Sequence, residues 1–208
     1  NIPATYIADG HHRLATTALM HEKLESPAEH GHYGTLLAAF FAAGELEILD
    51  FNRVVDALDD ITPPKFMARL SQVFDIECLD QPEKPRRKHE LTMYMRREWY
   101  RLSWRQRLLE SRQEAGILDA ALLNDKVLQG ILGITDVRSD PRVEYVEGPK
   151  GLEGLRKKAM KNDHTVAFCL YPIQMEDLFS LADAGQMLPP KSTWFEPRMK
   201  NGMLVQEF

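Results

Sequence analysis

Thr5-Tyr6-Ile7-Ala8-Asp9-Gly10-His11-His12-Arg13-Leu14 is the stretch on which the reading of this chain turns. Thr5 to Ala8 reads as a short strand, and Gly10 supplies a residue that can take the positive φ needed where a strand breaks off. Beyond it, Leu14, Ala15, Ala18 and Leu19 recur at three- and four-residue spacing, the period of a helix. Strand, turn and helix in that order predict an α/β type of unit. The first N–H groups of such a helix have no acceptor within it and lie at the positive end of its dipole, so the turn is expected to bind an anion. His11 and His12 add side-chain donors, and the guanidinium fork of Arg13 matches phosphate oxygens, which makes a nucleotide phosphate the expected anion. Asp9 is placed to hold a magnesium ion shared with those phosphates, or to orient a histidine. A plainer reading of the same residues stays open: Asp9 as an N-cap, two solvated histidines, and Arg13 paired with a carboxylate.

Working outward, a polar loop from Ser26 to Gly34 leads to an apolar run, Leu36 to Ala43, that reads as a buried strand, and Leu46 to Val55 carries a further extended segment. Pro63-Pro64 opens a helix that runs to about Val73. Phe74 to Leu79 reads as a strand and Gln81 to Lys88 as a loop. Leu91 to Met95 and Trp99 to Trp104 alternate as two strands of a hairpin turning at Arg96-Arg97-Glu98. Asp119 to Leu132 is the clearest amphipathic helix, stopped near Gly133. Then come a strand (Val143 to Val146), a glycine-rich loop, a helix (Leu152 to Met160), a strand (Thr165 to Tyr171), a helix (Met175 to Ala184) and a terminal strand (Met203 to Phe208). The fold class is therefore mixed α+β, with sheets flanked by helices.

The chain has 208 residues with 44% apolar content, enough for a buried core, and a net charge of -5. That charge disfavours bulk nucleic-acid binding, and the basic residues Arg86-Arg87-Lys88, Arg96-Arg97, Arg101, Arg105 and Arg107 read as a solvated hairpin face. The longest apolar runs are too short to span a bilayer and no signal pattern opens the chain, so a cytoplasmic location is expected. Cys78 and Cys169, each in an apolar strand-like run, read as buried small hydrophobes. The chain begins at Asn1 without a methionine, and part of the native protein is expected upstream.

Three other features compete for a function. Five of the seven histidines, His11, His12, His21, His30 and His32, lie in the first 32 residues, yet no His-Glu-x-x-His spacing supports zinc. The loop Gly148-Pro149-Lys150-Gly151-Leu152-Glu153-Gly154 has a phosphate-loop position but lacks the Walker pattern, and its proline has no N–H to donate, so a plain strand-to-helix connection is expected. Pro189-Pro190-Lys191-Ser192-Thr193-Trp194-Phe195-Glu196-Pro197 joins a rigid double proline to a cation, two hydroxyls and two aromatics. Lys191, Ser192 and Thr193 are candidate substrate-site residues, against the plainer reading of a structural loop.

Tyr6-Ile7-Ala8-Asp9-Gly10-His11-His12-Arg13 resembles the signature of a bacterial and archaeal family, the domain of unknown function 1015 family. Its characterised relatives are free serine kinases with a ParB/sulfiredoxin-like nucleotide-binding domain. Arg53-Val54-Val55, the helix Leu118 to Ile134, Asp140 to Gly148 and Pro189 to Pro197 fit the same family in the same order. The chain departs from it at Phe51-Asn52, where relatives often show Thr-His, and at Leu188 in place of a methionine. The resemblance implies that residues 1–60 are the end of a ParB/sulfiredoxin-like domain and residues 61–208 a C-terminal α/β domain. It also implies phosphoryl transfer from ADP or ATP to the hydroxyl of free L-serine, with Mg2+ as cofactor. Gly10, His11, His12 and Arg13 would then grip phosphate, and Asp9 and His11 would be the catalytic pair, the family's proposed glutamate lying upstream of Asn1. A homodimer is allowed. The alternative implied by ParB relatives is a non-catalytic, nucleotide-responsive binding module, whereas sulfiredoxin-like redox chemistry would need a cysteine where His11 and His12 stand.

Overall fold

The computed structural model describes residues 2–23, 36–56, 58–110, 118–200 and 202. The expected loop Ser26 to Gly34, with His30 and His32, and the expected strand Met203 to Phe208 lie outside the described residues. Internal contacts divide the chain into two compact units, one of residues 48–194 and one of residues 1–47 with 195–208. The chain passes between them within two short strands, β1 (Glu47–Leu49) and β8 (Trp194–Glu196).

The larger unit is built on a six-stranded sheet of β2 (Phe51–Asp56), β3 (Phe74–Leu79), β4 (Glu90–Met95), β5 (Glu98–Trp104), β6 (Val143–Glu147) and β7 (Thr165–Leu170). Its order is β3-β5-β4-β7-β2-β6, and every neighbouring pair is antiparallel. Because side chains alternate along a strand, Val166, Phe168 and Leu170 of β7 enter one apolar cluster while Ala167 and Cys169 enter another on the opposite face. The first cluster is closed by α2 (Pro63–Leu70) and by α4 (Asp119–Leu122), which bring Phe66, Leu70 and Leu122 onto Leu91, Met93 and Leu102. The second is closed by α5 (Gly151–Ala159) through Leu155 and Ala159. The remaining helices are α3 (Gln106–Glu110) and α6 (Met175–Asp183), the latter packing Leu181 with Leu118 and Ile173.

Helices and strands together bear out an α+β chain. Pro63 at the first helical position starts α2 where the sequence places it, since its missing N–H would have lacked a helical acceptor anyway. The hairpin β4–β5 turns at Arg96 and Arg97, both at positive φ (50° and 70°). The expected helix from Asp119 changes character: after Leu122 the backbone widens into a π-helix over Leu123–Gln129, with Gly130 N–H reaching back five residues to the Asp125 carbonyl.

Some expectations fail for a shared reason. Residues 5–8 are not a strand, and Leu36 to Ala43 is neither a strand nor buried: Phe40 is 73% exposed. An apolar run becomes a strand only when a neighbouring backbone accepts its ladder, and neither segment has one among the described residues. Cys169 is buried as expected, but Cys78 is exposed, because β3 is the edge strand and has a neighbour on one side only. Arg101 is not solvated: it is 8% exposed beneath Glu77 and Glu83, each 2.6 Å away, with Glu90 at 3.5 Å.

Phe168→Ala, in the middle of β7, is expected to destabilise the fold by about 3–5 kcal/mol, read from denaturant unfolding. Met187→Ala, at an 87% exposed position, is expected to change it by less than about 0.5 kcal/mol.

Candidate functional site

In the smaller unit, helix α1 (His11–Lys23) begins directly after Gly10, whose φ of +85° lies in the left-handed region. A side chain there would be strained, and a Cβ would also come within 3.3 Å of Arg13 Nη2. The contact shows where the guanidinium goes: it folds back over the glycine, with Nε and Cζ at 3.5 and 3.7 Å from the same point. The first bond into the helix runs from Leu14 N–H to the Gly10 carbonyl at 3.0 Å. Among the described residues the N–H groups of His11, His12 and Arg13 have no backbone acceptor, which leaves three donors at the positive end of a 13-residue helix.

His11 and His12 are exposed, with ring centroids 6.3 Å apart in a T-shaped pair. Among the described residues the Arg13 guanidinium, also exposed, forms no ion pair. Asp9 lies 4.0 Å from Arg198 Nη1, a pair in which both side chains are largely in solvent and whose net contribution is small. Asp9, Gly10, His11, His12 and Arg13 therefore meet in one exposed turn. Helix α1 itself buries no residue, and Leu19 and Met20 are 56% and 44% exposed.

No group of three or more His, Cys, Asp or Glu side chains that could hold a metal comes together among the described residues. Asp9 therefore belongs to no such group among the described residues. That suits magnesium only in the manner of nucleotide sites, where the ion takes one or two carboxylates and completes its shell with phosphate and water.

The larger unit holds the other candidates. Lys191, at φ +53°, places Nζ 5.7 Å above the Phe51 ring, and Ser192 is 8% exposed and donates to the Pro189 carbonyl at 2.7 Å. Thr193 is half-buried, and Trp194 meets Phe51 edge-on at 6.1 Å. Lysine and serine are thus partly engaged in holding their own segment. The loop after β6 is a single 3-10 turn, Gly148–Lys150, into α5, with Gly148 pressed against the Asp50 carbonyl so closely that a Cβ would lie at 2.8 Å.

Two further groups were not expected as site residues. Arg53, on β2, is 1% exposed, and burial lowers its pKa to about 10, with the neighbouring Tyr145 acting in the opposite sense. Nη1 donates to the Phe51 carbonyl at 2.5 Å and Nη2 to the Pro190 carbonyl at 3.4 Å, while Nε has no partner among the described residues. Its cross-strand neighbour Tyr145 puts a ring 5.5 Å from the guanidinium carbon. Asp119, 6% exposed, accepts from His89 N–H at 3.0 Å and Trp104 Nε1–H at 3.0 Å, and its other close contact is His89 Nδ1 at 3.2 Å. The one available signal was a charge set in the apolar strand Phe51 to Val55, at a position whose alternation points inward.

The family described as "Protein of unknown function (DUF1015)" matches residues 1–125. No curated protein matches the chain in sequence. Among solved structures, a mutant free serine kinase in complex with AMP is similar at 16% identity and a TM-score of 0.47, covering 91% of this chain and 66% of that one. A second mutant of a free serine kinase, in complex with ADP, is similar at 14% identity and a TM-score of 0.43, over the same shares. A conserved hypothetical protein from Pyrococcus furiosus is similar at 15% identity and a TM-score of 0.47, over 94% of this chain and 72% of that one. The chain thus spans about two thirds of the length of these structures. Among the described residues no helix is long and apolar enough to cross a membrane.

Asp119→Ala is expected to leave the Trp104 indole N–H without its acceptor and to cost roughly 1–3 kcal/mol. Denaturant unfolding followed by tryptophan fluorescence checks this.

Proposed function

Because the chain belongs to the DUF1015 family, a kinship that leaves its chemistry open, we propose that the Asp9–Arg13 turn binds the phosphate tail of ADP or ATP. We further propose that the intact protein transfers a phosphoryl group from that nucleotide to the hydroxyl of free L-serine or a similar small acceptor. One observation carries the reading: three helical N–H groups and a guanidinium, all without a partner among the described residues, share the turn opened by Gly10. The resemblance of Tyr6 to Arg13 to the kinase-containing family supports the choice of nucleotide over other anions.

Phosphoryl transfer asks the protein mainly for position and for charge complementarity. The backbone N–H groups of His11, His12 and Arg13 would hold phosphate oxygens in fixed places, at no reorganisation cost during reaction. Arg13 would add a fork that accompanies negative charge onto the leaving phosphate, and Gly10 keeps the space above the turn clear of a Cβ. His11 would take or give a proton at the reacting oxygens, with Asp9 as its acidic companion. A magnesium ion, when bound, would neutralise phosphate charge; Asp9 would contribute one oxygen to it. In the transfer the bond from the terminal phosphorus to its bridging oxygen breaks, a bond to the acceptor oxygen forms, and the acceptor loses its proton.

In the intact protein, Arg13→Ala is expected to weaken ADP or ATP binding roughly 10- to 100-fold, measured by calorimetric titration. Arg87→Ala, at an exposed residue outside the turn, is expected to leave affinity unchanged. Incubation with L-serine and nucleotide should yield O-phosphoserine. Nucleotide binding with no turnover of any amino-acid hydroxyl would instead assign the turn to a nucleotide-responsive binding module.

A further inference from the structure

Arg53 occupies a position that strand alternation gives to the core. It pairs across the sheet with Phe168 on one side and Tyr145 on the other, on the face that also buries Val55. A charge in such a place is normally matched by a carboxylate, because desolvating an unpaired ion costs several kcal/mol. Here no carboxylate pairs with it among the described residues: its bonded neighbours are two main-chain carbonyls and its ring neighbour is a phenol, which donates its own proton to the Val137 carbonyl at 2.8 Å.

Arg53 also lines a small cavity of about 20 Å3, together with Phe51, Lys88, Asp119, Tyr171 and Ser192. That space exceeds the roughly 10–15 Å3 that admits one water-sized group, so it suits the oxygens of a head group and not a whole cofactor. Two acids stand in its wall, and neither is free for Arg53. Asp177 is bound to Lys88 at 2.7 Å, and Asp119 is held by the His89 and Trp104 donors. Lys88 uses one of its three ammonium hydrogens on Asp177, which leaves others for a ligand.

We propose that this cavity binds the oxyanion head of a small molecule, a carboxylate or a phosphate group, with the Arg53 guanidinium as its buried counter-charge and Lys88 as a second cation at the wall. The wall is otherwise apolar at Phe51, Leu118 and Ile173, which suits a ligand whose remainder is small and weakly polar. The site is argued from the larger unit alone and stands whether or not the Asp9–Arg13 turn binds nucleotide.

The test removes that turn's contribution by using the intact protein carrying Arg13→Ala. Inorganic phosphate and, separately, acetate are titrated against chloride at matched ionic strength while the thermal midpoint is followed. A saturable rise is expected with at least one of them: acetate alone marks a carboxylate ligand, phosphate alone a phosphorylated one. Adding Arg53→Met should weaken that response roughly 10- to 100-fold. Since the methionine also removes the bonds to the Phe51 and Pro190 carbonyls, the Arg53 Nε–H resonance in the protein that retains Arg53 gives an independent reading, and it should shift saturably with the same anion. A midpoint that responds to neither anion beyond chloride, or an Nε–H resonance that stays still while the midpoint rises, overturns the site.

Discussion

Strands β2, β4 and β7 lie inside a sheet that is covered on both faces, and that double cover governs what each residue in them can be. Val166, Phe168 and Leu170 go to one side and Ala167 and Cys169 to the other, and all five are out of solvent. On β7 the small residues lie on the face closed by α5 and the larger ones on the face closed by α2 and α4. Polar residues survive there only by being bonded. Asn52 donates to Asp50 at 2.5 Å and accepts from Leu170 N–H at 3.0 Å, and Lys84 meets the same aspartate at 2.7 Å. The Cys169 thiol, beside that aspartate, has its pKa pushed up by burial, as befits a packing residue and not a nucleophile. Against this background Arg53 stands out, a buried cation whose Nε has no partner among the described residues.

Much of this unit can be read from the sequence because its signals are local. Pro63-Pro64 starts a helix by its own geometry, the alternation of Phe74 to Leu79 predicts β3 over the same residues, and the Leu91–Trp104 hairpin needs only two alternating runs and a turn. What depends on a remote partner is harder to see. Leu36 to Ala43 has the composition of a buried strand and no ladder to join, and Cys78 has the environment of a core residue but falls at the sheet edge. The three glutamates around Arg101 come from residues 77, 83 and 90, and no spacing rule foretells that they would enclose an arginine read as solvated.

The turn at Asp9–Arg13 is legible for a different reason. A glycine followed by donors at a helix start is a short-range arrangement, and the positive φ of Gly10 and the folded-back Arg13 follow from it without help from the rest of the chain. The expected strand before it does not form, so the turn is set by glycine and helix alone. Arg53 was legible as part of the Arg53-Val54-Val55 stretch and as a charge within Phe51 to Val55, but its meaning came from the lack of an acid partner among the described residues, which no linear reading supplies. Between them, the two sites put cationic donors where anions are expected, one exposed and backbone-lined, the other buried and lined by a guanidinium.

Amide NMR of the intact protein during ADP addition bears most directly on the phosphate-binding turn. The account requires the backbone N–H signals of His11, His12 and Arg13 to move together, downfield and saturably, with slowed hydrogen exchange at all three. Saturable ADP binding that leaves those three amides where they were would contradict it.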